Sequence, residues 1–271
     1  MRFTKMQALG NDFIVLDSRG RELREPGALA RRLCRRRFGI GADQMLVLTE
    51  SRKADFRMLI YNADGGEVEM CGNGIRCLAK YIWERGLSDK DTLDIETAAG
   101  TIRPGKAGEM VRVDMGAPVL EGRDIPVDLD GPVLDHPLPV EDKLFLVNCV
   151  SMGNPHAVIF IDNLGGLPLS YYGPRIESHP LFPRRTNVEF VEVLGPGEIS
   201  MRVWERGAGE TLACGTGAAA AAVASALKGL TGRAVTVHLE GGDLLVQWAE
   251  DGHVYMTGPA EEVFEGEIKN I

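Results

Sequence analysis

Two cysteines, Cys71 and Cys214, stand in closely matching surroundings: MLIYNADGGEVEMCGNGIRCLA from Met58 to Ala79 and MRVWERGAGETLACGTGAAAAAVA from Met201 to Ala224. Each reads as a strand, a glycine-rich turn and a helix, with the cysteine where the helix begins. A thiol there meets unsatisfied backbone N–H groups and the positive end of the helix dipole, which lower its pKa. Two such thiols on opposite faces of a carbon acid suit a two-base racemisation. One thiolate removes the α-proton and the other thiol returns a proton to the opposite face, each sulfur lying within about 3–3.5 Å of the proton's path. The entries Gly72-Asn73-Gly74 and Gly215-Thr216-Gly217 expose backbone N–H groups that bind anions. Aimed at a carboxylate, they stabilise the charge that develops as the α-proton leaves. Blander readings compete: small core hydrophobes for the cysteines, tight turns for the glycines, or a redox pair.

The two stretches align without a gap at a spacing of 143 positions, and the spacing holds well outside them. Gly10-Asn11 recurs as Gly153-Asn154, Gln44 as Asn187, Glu67 as Glu210, and Leu144 falls opposite Met1. Beyond the second helix the spacing becomes 142, pairing Gly100 with Gly242 and Gly116 with Gly258, which one deletion explains. Such a period is far too long for a solenoid. It predicts an internal duplication: two related domains, each mostly β with one long helix, presenting equivalent turns to a shared cleft.

Polar positions break the symmetry. Asn62 corresponds to Glu205, Ala63 to Arg206 and Phe13 to His156. A glutamate beside an arginine suits an ammonium and a carboxylate on one ligand, and equally a surface ion pair. Asn11, Gln44, Asn154 and Asn187 sit in turns or at strand starts, where each singly reads as a turn residue and the repeated pairing favours ligand contact. His156 suits a thiol-tuning role or a satisfied core position. The remaining histidines have no metal-ligand spacing, so no metal site is expected.

The elements that must place these residues follow from periodicity and punctuation. Residues 2–7 and 12–16 predict a hairpin, 27–37 a short helix with five arginines on a solvated face, and Met45–Leu48 and Phe56–Tyr61 two strands. A helix from Ile75 to Arg85 and strands at 92–97, 100–104 and 110–115 complete the first copy. Residues 117–143 predict a connection with an extra strand or two. The second copy predicts strands at 157–161, 188–193, 200–204, 234–239, 244–248 and 253–257, with 163–186 irregular.

The 271 residues carry a net charge of −9, with 44% hydrophobic and 25% charged residues. That acidity argues against general nucleic-acid binding or an anionic membrane surface. No apolar run approaches membrane-span length and the N-terminus lacks a signal peptide's apolar core, so a cytoplasmic location is expected. Five cysteines, an odd number without CxxC spacing, predict free thiols. No pyridoxal phosphate or flavin motif is present, and no cofactor is expected.

The segments ALGNDFIVLD, FGIGADQ, YNADGGEVEMCGNGIRC, GNPHAVIF, RTNVEFV and ERGAGETLACGTGAAAAA resemble the diaminopimelate epimerase family along essentially the whole chain. The resemblance implies a pyridoxal-independent isomerase that interconverts LL- and meso-2,6-diaminopimelate in lysine and peptidoglycan precursor synthesis. It implies an α+β (mixed α/β) fold of two pseudo-symmetric domains, each a sheet around a central helix, with the C-terminal strand returning to the first domain. The expected domains are 1–117 plus 263–271, and 118–262. By motif, Cys71 and Cys214 are the implied acid/base pair, Cys214 being the base toward the LL substrate. Gly72, Asn73, Gly215 and Thr216 are implied to hold the reacting carboxylate. Asn11, Gln44, Asn62, Asn154, Asn187, Glu205 and Arg206 are implied to hold the rest, with His156 and Glu205 influencing the thiols. A homodimer is also implied. Rival readings are a proline or hydroxyproline racemase of the same superfamily, a non-catalytic amino-acid-binding protein, and a thiol redox or metal protein.

Overall fold

The computed structural model describes residues 1–269. The chain divides into two compact units, Met1–Asp114 with the C-terminal segment from Thr257, and Met115–Met256. The sequence expectation put these joins at 117/118 and 262/263. The last strand, Glu261–Glu267, pairs with Arg2–Gln7 and so belongs with the first unit. Positions 270 and 271 of the expected tail lie outside the described residues.

In the first unit the strands are β1 (Arg2–Ala8), β2 (Asn11–Asp17), β3 (Gln44–Thr49), β4 (Phe56–Asn62), β5 (Glu67–Val68), β6 (Ile95–Thr97), β7 (Gly100–Ile102), β8 (Pro104–Ala107) and β9 (Met110–Asp114). The helices are α1 (Pro26–Leu33) and α2 (Gly72–Glu84). The second unit contains β10 (His136–Val140), β11 (Lys143–Ser151), β12 (Pro155–Phe160), β13 (Asn187–Gly195), β14 (Glu198–Glu205), β15 (Gly209–Thr211), β16 (Ala234–Leu239), β17 (Gly242–Trp248) and β18 (Val254–Gly258). Its helices are α3 (Leu169–Glu177) and α4 (Gly215–Leu227), and β19 (Glu261–Glu267) closes the chain.

The duplication is written into the pairing register. In the first unit the order is β19-β1-β2-β3-β4-β6-β7, with β5 beside β4. In the second it is β10-β11-β12-β13-β14-β16-β17-β18, with β15 beside β14. Phe13 pairs with Gln44 in a parallel ladder, and His156 with Asn187 in the equivalent one. Ile60 pairs with Val68, and Val203 with Thr211. All sit 143 positions apart, as do the bounds of α2 and α4. After the helices the 142 spacing governs: Ile95 pairs with Ile102, and Val237 with Leu244.

The parallel ladders are buried on both faces, which is why FIVL, MLVL and AVI read as continuous apolar runs. One parity packs outward on the short helix: Ile14, Leu16, Met45 and Val47 meet Leu29, Ala30 and Leu33 of α1, and Val188 and Phe190 join Leu169, Tyr172 and Ile176 of α3. The other parity packs on the long helix. Phe13 and Leu46 lie against Gly74 near the start of α2, and Glu189 lies against Gly217 near the start of α4. Helix α4 is apolar all round and buried from Gly217 to Ser225, touched by strands β11 to β14, β16 and β17. Its alanines let those strands approach closely.

Three elements differ from expectation. Helix α1 stops at Leu33, because Ile40 and Gly41 both donate to the Leu33 carbonyl and turn the chain before the remaining arginines. The strand expected over 100–104 is two, β7 ending at Ile102 and β8 starting at Pro104. Helix α3 fills the segment expected to be irregular; Gly173 and Pro174 read as breakers, yet Tyr172 and Ile176 are held in the core. Carrying α1 forward by 143 positions lands on 169–176, so the duplication held the signal that local propensity lacked.

Gly173 permits α3 to rest on β14, since a Cβ there would lie 2.6 Å from the Trp204 ring. Gly173→Ala is expected to destabilise the protein by about 1–3 kcal/mol through overpacking. Urea unfolding checks this, and an unchanged midpoint would show that the contact has slack.

Candidate functional site

In the first unit, Cys71 is the N-cap residue of α2 and its sulfur accepts the Gly74 N–H at 3.4 Å. Asn11 Oδ1 lies 3.8 Å from that sulfur and accepts from Asn73 Nδ2 at 3.4 Å. The Asn11 amide is oriented from behind, its Nδ2 donating to Asp43 Oδ2 at 2.9 Å. Arg36 in turn ties Asp43 to Asp12, which also pairs with Lys5. Burial works against the Asp12 charge, but the hydrogen bonds from Arg36, Lys5 and the Asp43 N–H hold its carboxyl well below the usual carboxylate range. Gln44 and Asn62 face each other on β3 and β4, with Gln44 Nε2 donating to Asn62 Oδ1 at 2.8 Å. The buried Gln44 Oε1 has no hydrogen-bond partner in the protein.

Arg76, fully buried one turn into α2, was not singled out by the sequence reading. It donates to Asn73 Oδ1 at 2.9 Å, to the Gly72 carbonyl at 3.3 Å and to the Pro259 carbonyl at 3.2 Å. Burial lowers its pKa, and the Cys77 and Cys71 sulfurs oppose that shift.

In the second unit, Cys214 occupies the same N-cap position on α4 but is nearly buried, with its sulfur 3.5 Å from the Thr216 hydroxyl. Its pKa is raised well above the ordinary thiol value, first by burial, then by the Glu205 and Glu189 carboxylates. The Thr216 hydroxyl opposes this only in part. The expectation that a helix entry lowers a thiol's pKa therefore fails at Cys214: desolvation and two neighbouring acids outweigh the helix terminus. Glu205 itself is raised, chiefly by burial and then by Glu189, against the hydrogen bond from Thr211 and the charge of His156.

His156 is fully buried between two oxygens, with Nδ1 2.7 Å from Glu189 Oε1 and Nε2 2.9 Å from Asn154 Oδ1. A doubly protonated ring satisfies both. A singly protonated ring donates to Glu189 and meets Asn154 with its amide reversed. Asn187 donates to the Pro155 carbonyl at 2.8 Å and accepts the Arg206 N–H at 2.9 Å, fixing the turn after β14. The side chains of Glu205, the last residue of β14, and Arg206, the first of the turn, diverge. Glu205 turns inward, and Arg206 is exposed with its guanidinium 3.2 Å from the Arg184 carbonyl. Glu177 at the end of α3 secures the same turn, accepting from Trp204 Nε1 at 2.8 Å and the Gly207 N–H at 3.0 Å.

The structure thus groups Asn11, Cys71 and Asn73, and separately Gln44 with Asn62, in the first unit. In the second it groups Asn154 with His156, Asn187 with the Arg206 backbone, and Cys214 with Glu205 and Thr216. Gly72 and Gly215 begin the two helices. Residues missed from sequence are Arg76, Glu189, Glu177 and the Asp12–Arg36–Asp43 cluster. Glu189 had a visible signal: it interrupts the apolar run VEFV at the position matching Leu46.

The sequence model of the diaminopimelate epimerase family matches residues 3–121 and 148–263. The chain belongs to that family. Relatives called diaminopimelate epimerase include that of Moorella thermoacetica, 55% identical over 99% of each chain, and that of Methanococcus maripaludis, 50% identical over 99% of each. Among solved structures, a PhzF-family phenazine biosynthesis protein of Bacillus anthracis has a TM-score of 0.72 at 18% identity, covering 100% of this chain and 99% of its own. A probable proline racemase of Agrobacterium radiobacter has a TM-score of 0.70 at 17% identity, covering 99% and 92%. At such identities the likeness is one of fold. Family membership makes the protein an epimerase, and so an isomerase.

A carboxyl whose folded pKa is raised stabilises the protein at low pH relative to high pH, and that contribution is lost as pH rises through the folded value. Glu205→Gln keeps an acceptor for Thr211 and removes the charge. Relative to wild type, its thermal midpoint is expected to rise between about pH 4 and about pH 8. An unchanged difference would contradict an ionised, desolvated Glu205.

Proposed function

We propose that the chain interconverts LL- and meso-2,6-diaminopimelate by a cofactor-independent two-thiol mechanism. The observation that carries this is that Cys71 and Cys214 hold the same N-cap position in two units of one topology, within a family of epimerases. Cys214 takes the α-proton of the LL substrate and Cys71 returns a proton to the other face; the reverse reaction exchanges the roles. Backbone N–H groups at Gly72, Asn73, Gly215 and Thr216 receive the reacting carboxylate, whose negative charge grows as the carbon is deprotonated.

The substrate has two amino-acid ends, of which one is inverted. Asn11, Gln44, Asn62, Asn154, Asn187 and Arg206 hold its polar groups. Arg206, exposed and carrying a planar guanidinium, suits a carboxylate of the end that does not react. Glu205, buried beside Cys214, takes an ammonium and, with His156, adjusts the thiol. The reading extends to a cytoplasmic homodimer serving lysine and peptidoglycan precursor synthesis. Among the described residues no helix is long and apolar enough to cross a membrane.

Incubation with LL-diaminopimelate in deuterated water tests this. The wild type is expected to yield meso product carrying α-deuterium, and Cys71→Ala and Cys214→Ala each to lose epimerisation by a factor of at least about 10². Turnover retained in either variant would remove that sulfur from the mechanism. Absence of exchange in reduced wild type would remove the substrate.

A further inference from the structure

The duplication is broken beside each sulfur by a buried charge, and the two charges have opposite sign. In the first unit the helix bearing Cys71 carries Arg76, fully buried, where the second copy has Ala219. In the second unit the strand beneath Cys214 carries Glu189, also fully buried, where the first copy has Leu46. Arg76 is on the cysteine's own helix, and Glu189, like Leu46 in the first unit, lies on the strand face that packs against that helix. A Cβ at Gly217 would lie 2.7 Å from Glu189 Oε1, and one at Gly74 would lie 3.2 Å from Leu46. Arg76 sits one turn beyond the Cys71 cap, bonded to Gly72 and Asn73, and it interacts electrostatically with the Cys71 sulfur. Burying a charge is expensive, and a fold that needed only packing at these positions has Ala219 and Leu46 as its own working precedents.

On the two-thiol reading above, we propose that Arg76 and Glu189 are positioning residues that assign the shared catalytic proton, so that in the ligand-free protein Cys71 ionises first and Cys214 keeps its proton. A guanidinium stays protonated at any physiological pH and favours an adjacent thiolate. A carboxylate near Cys214 disfavours one. The balance moves one proton: Cys71–S⁻ with Cys214–SH, in place of Cys71–SH with Cys214–S⁻. This resting form is the one in which Cys71 acts as the base, and it is the form that meets the meso isomer.

The remaining neighbours are consistent with that assignment. Around Cys71, the Gly74 N–H supports the thiolate and the Asn11 oxygen at 3.8 Å weakly favours the thiol. Behind Asn11 stand Asp12, Asp43, Arg36 and Lys5, two of each sign. Burial pushes the Cys77 thiol up, leaving it neutral. Around Cys214, Glu205 on β14 and Glu189 on β13 oppose ionisation. The Thr216 hydroxyl and the Gly217 N–H favour the thiolate without offsetting these, and His156 on β12 is held on Glu189. Glu189 Oε2 has no partner in the protein, so part of this carboxylate's charge is left uncompensated.

The test is the pH dependence of alkylation by iodoacetamide, read separately at each cysteine by mass spectrometry in ligand-free, reduced protein. The midpoint is the quantity compared, because accessibility scales the rate without moving the midpoint. In wild type the Cys71 midpoint is expected to lie at least about one pH unit below that of Cys214. Glu189→Gln is expected to lower the Cys214 midpoint and leave Cys71 in place. Arg76→Met is expected to raise the Cys71 midpoint, with Arg76→Lys restoring it. Coincident or reversed midpoints in wild type would overturn the proposal, whether or not the Arg76 variants fold. So would a folded Glu189→Gln protein with an unmoved Cys214 midpoint. The measurement needs no turnover. A protein that orders its thiols as stated yet epimerises nothing would refute the proposed reaction alone, and an active epimerase with equal midpoints would refute this inference alone.

Discussion

The parallel pairing of β2 with β3, and of β12 with β13, is the constraint on which the rest of each unit depends. A strand pair buried on both faces must send one parity to a short outer helix and the other to the long helix. Once Phe13 is opposite Gln44 and His156 opposite Asn187, Gln44 faces Asn62, Asn187 accepts the Arg206 N–H, and Asn11 at the start of β2 reaches the first turn of the long helix. That turn is where backbone N–H groups are free and where the cysteine sits. A one-residue slip would turn every one of those polar groups to the other face.

The same constraint explains why the chemistry at the two cysteines differs although the backbones match. Beneath α2 the inward parity supplies Phe13 and Leu46; beneath α4 it supplies His156 and Glu189. A helix terminus offers both sulfurs a similar partial charge, worth at most about 1–2 kcal/mol. Full desolvation and two nearby carboxylates outweigh that at Cys214. Cys71, partly exposed, capped by the Gly74 N–H and adjacent to a buried guanidinium, lies in the opposite field. The capping geometry is common to both, and the side chains packed below it set each thiol.

Much of the polar structure serves to orient the side chains of the candidate site. Arg36 and Lys5 fix Asp12, Arg36 ties Asp12 to Asp43, and Asp43 fixes which end of the Asn11 amide faces the cysteine. Glu177 gathers the Trp204 indole and the Gly207 N–H, holding the turn that carries Glu205 and Arg206. These supports lie on β1, β2, α3 and the loop before β3. Their carboxylates are charged acceptors, which make shorter and stronger bonds than neutral groups and so leave less freedom in what they hold.

The sequence by itself determined the duplication, the family, the strand–turn–helix around each cysteine and the polar positions paired at one spacing. These are legible because they depend on residue type and on separation along the chain: a Gly-x-Gly helix entry looks the same wherever it packs. Helix α3 was not legible from propensity, because Gly173 and Pro174 oppose a helix locally and only the packing of Tyr172 and Ile176 overrides them. Nor were Arg76 and Glu189 legible as neighbours of the sulfurs, nor the upward push on the Cys214 pKa. Those depend on which groups lie within a few ångströms in a desolvated interior, and burial is decided by how strands from distant parts of the chain pair around the helix. The sequence named the two thiols, and the tertiary structure gave each its own electrostatic surroundings, because desolvation and Coulomb interactions act through space and not along the chain.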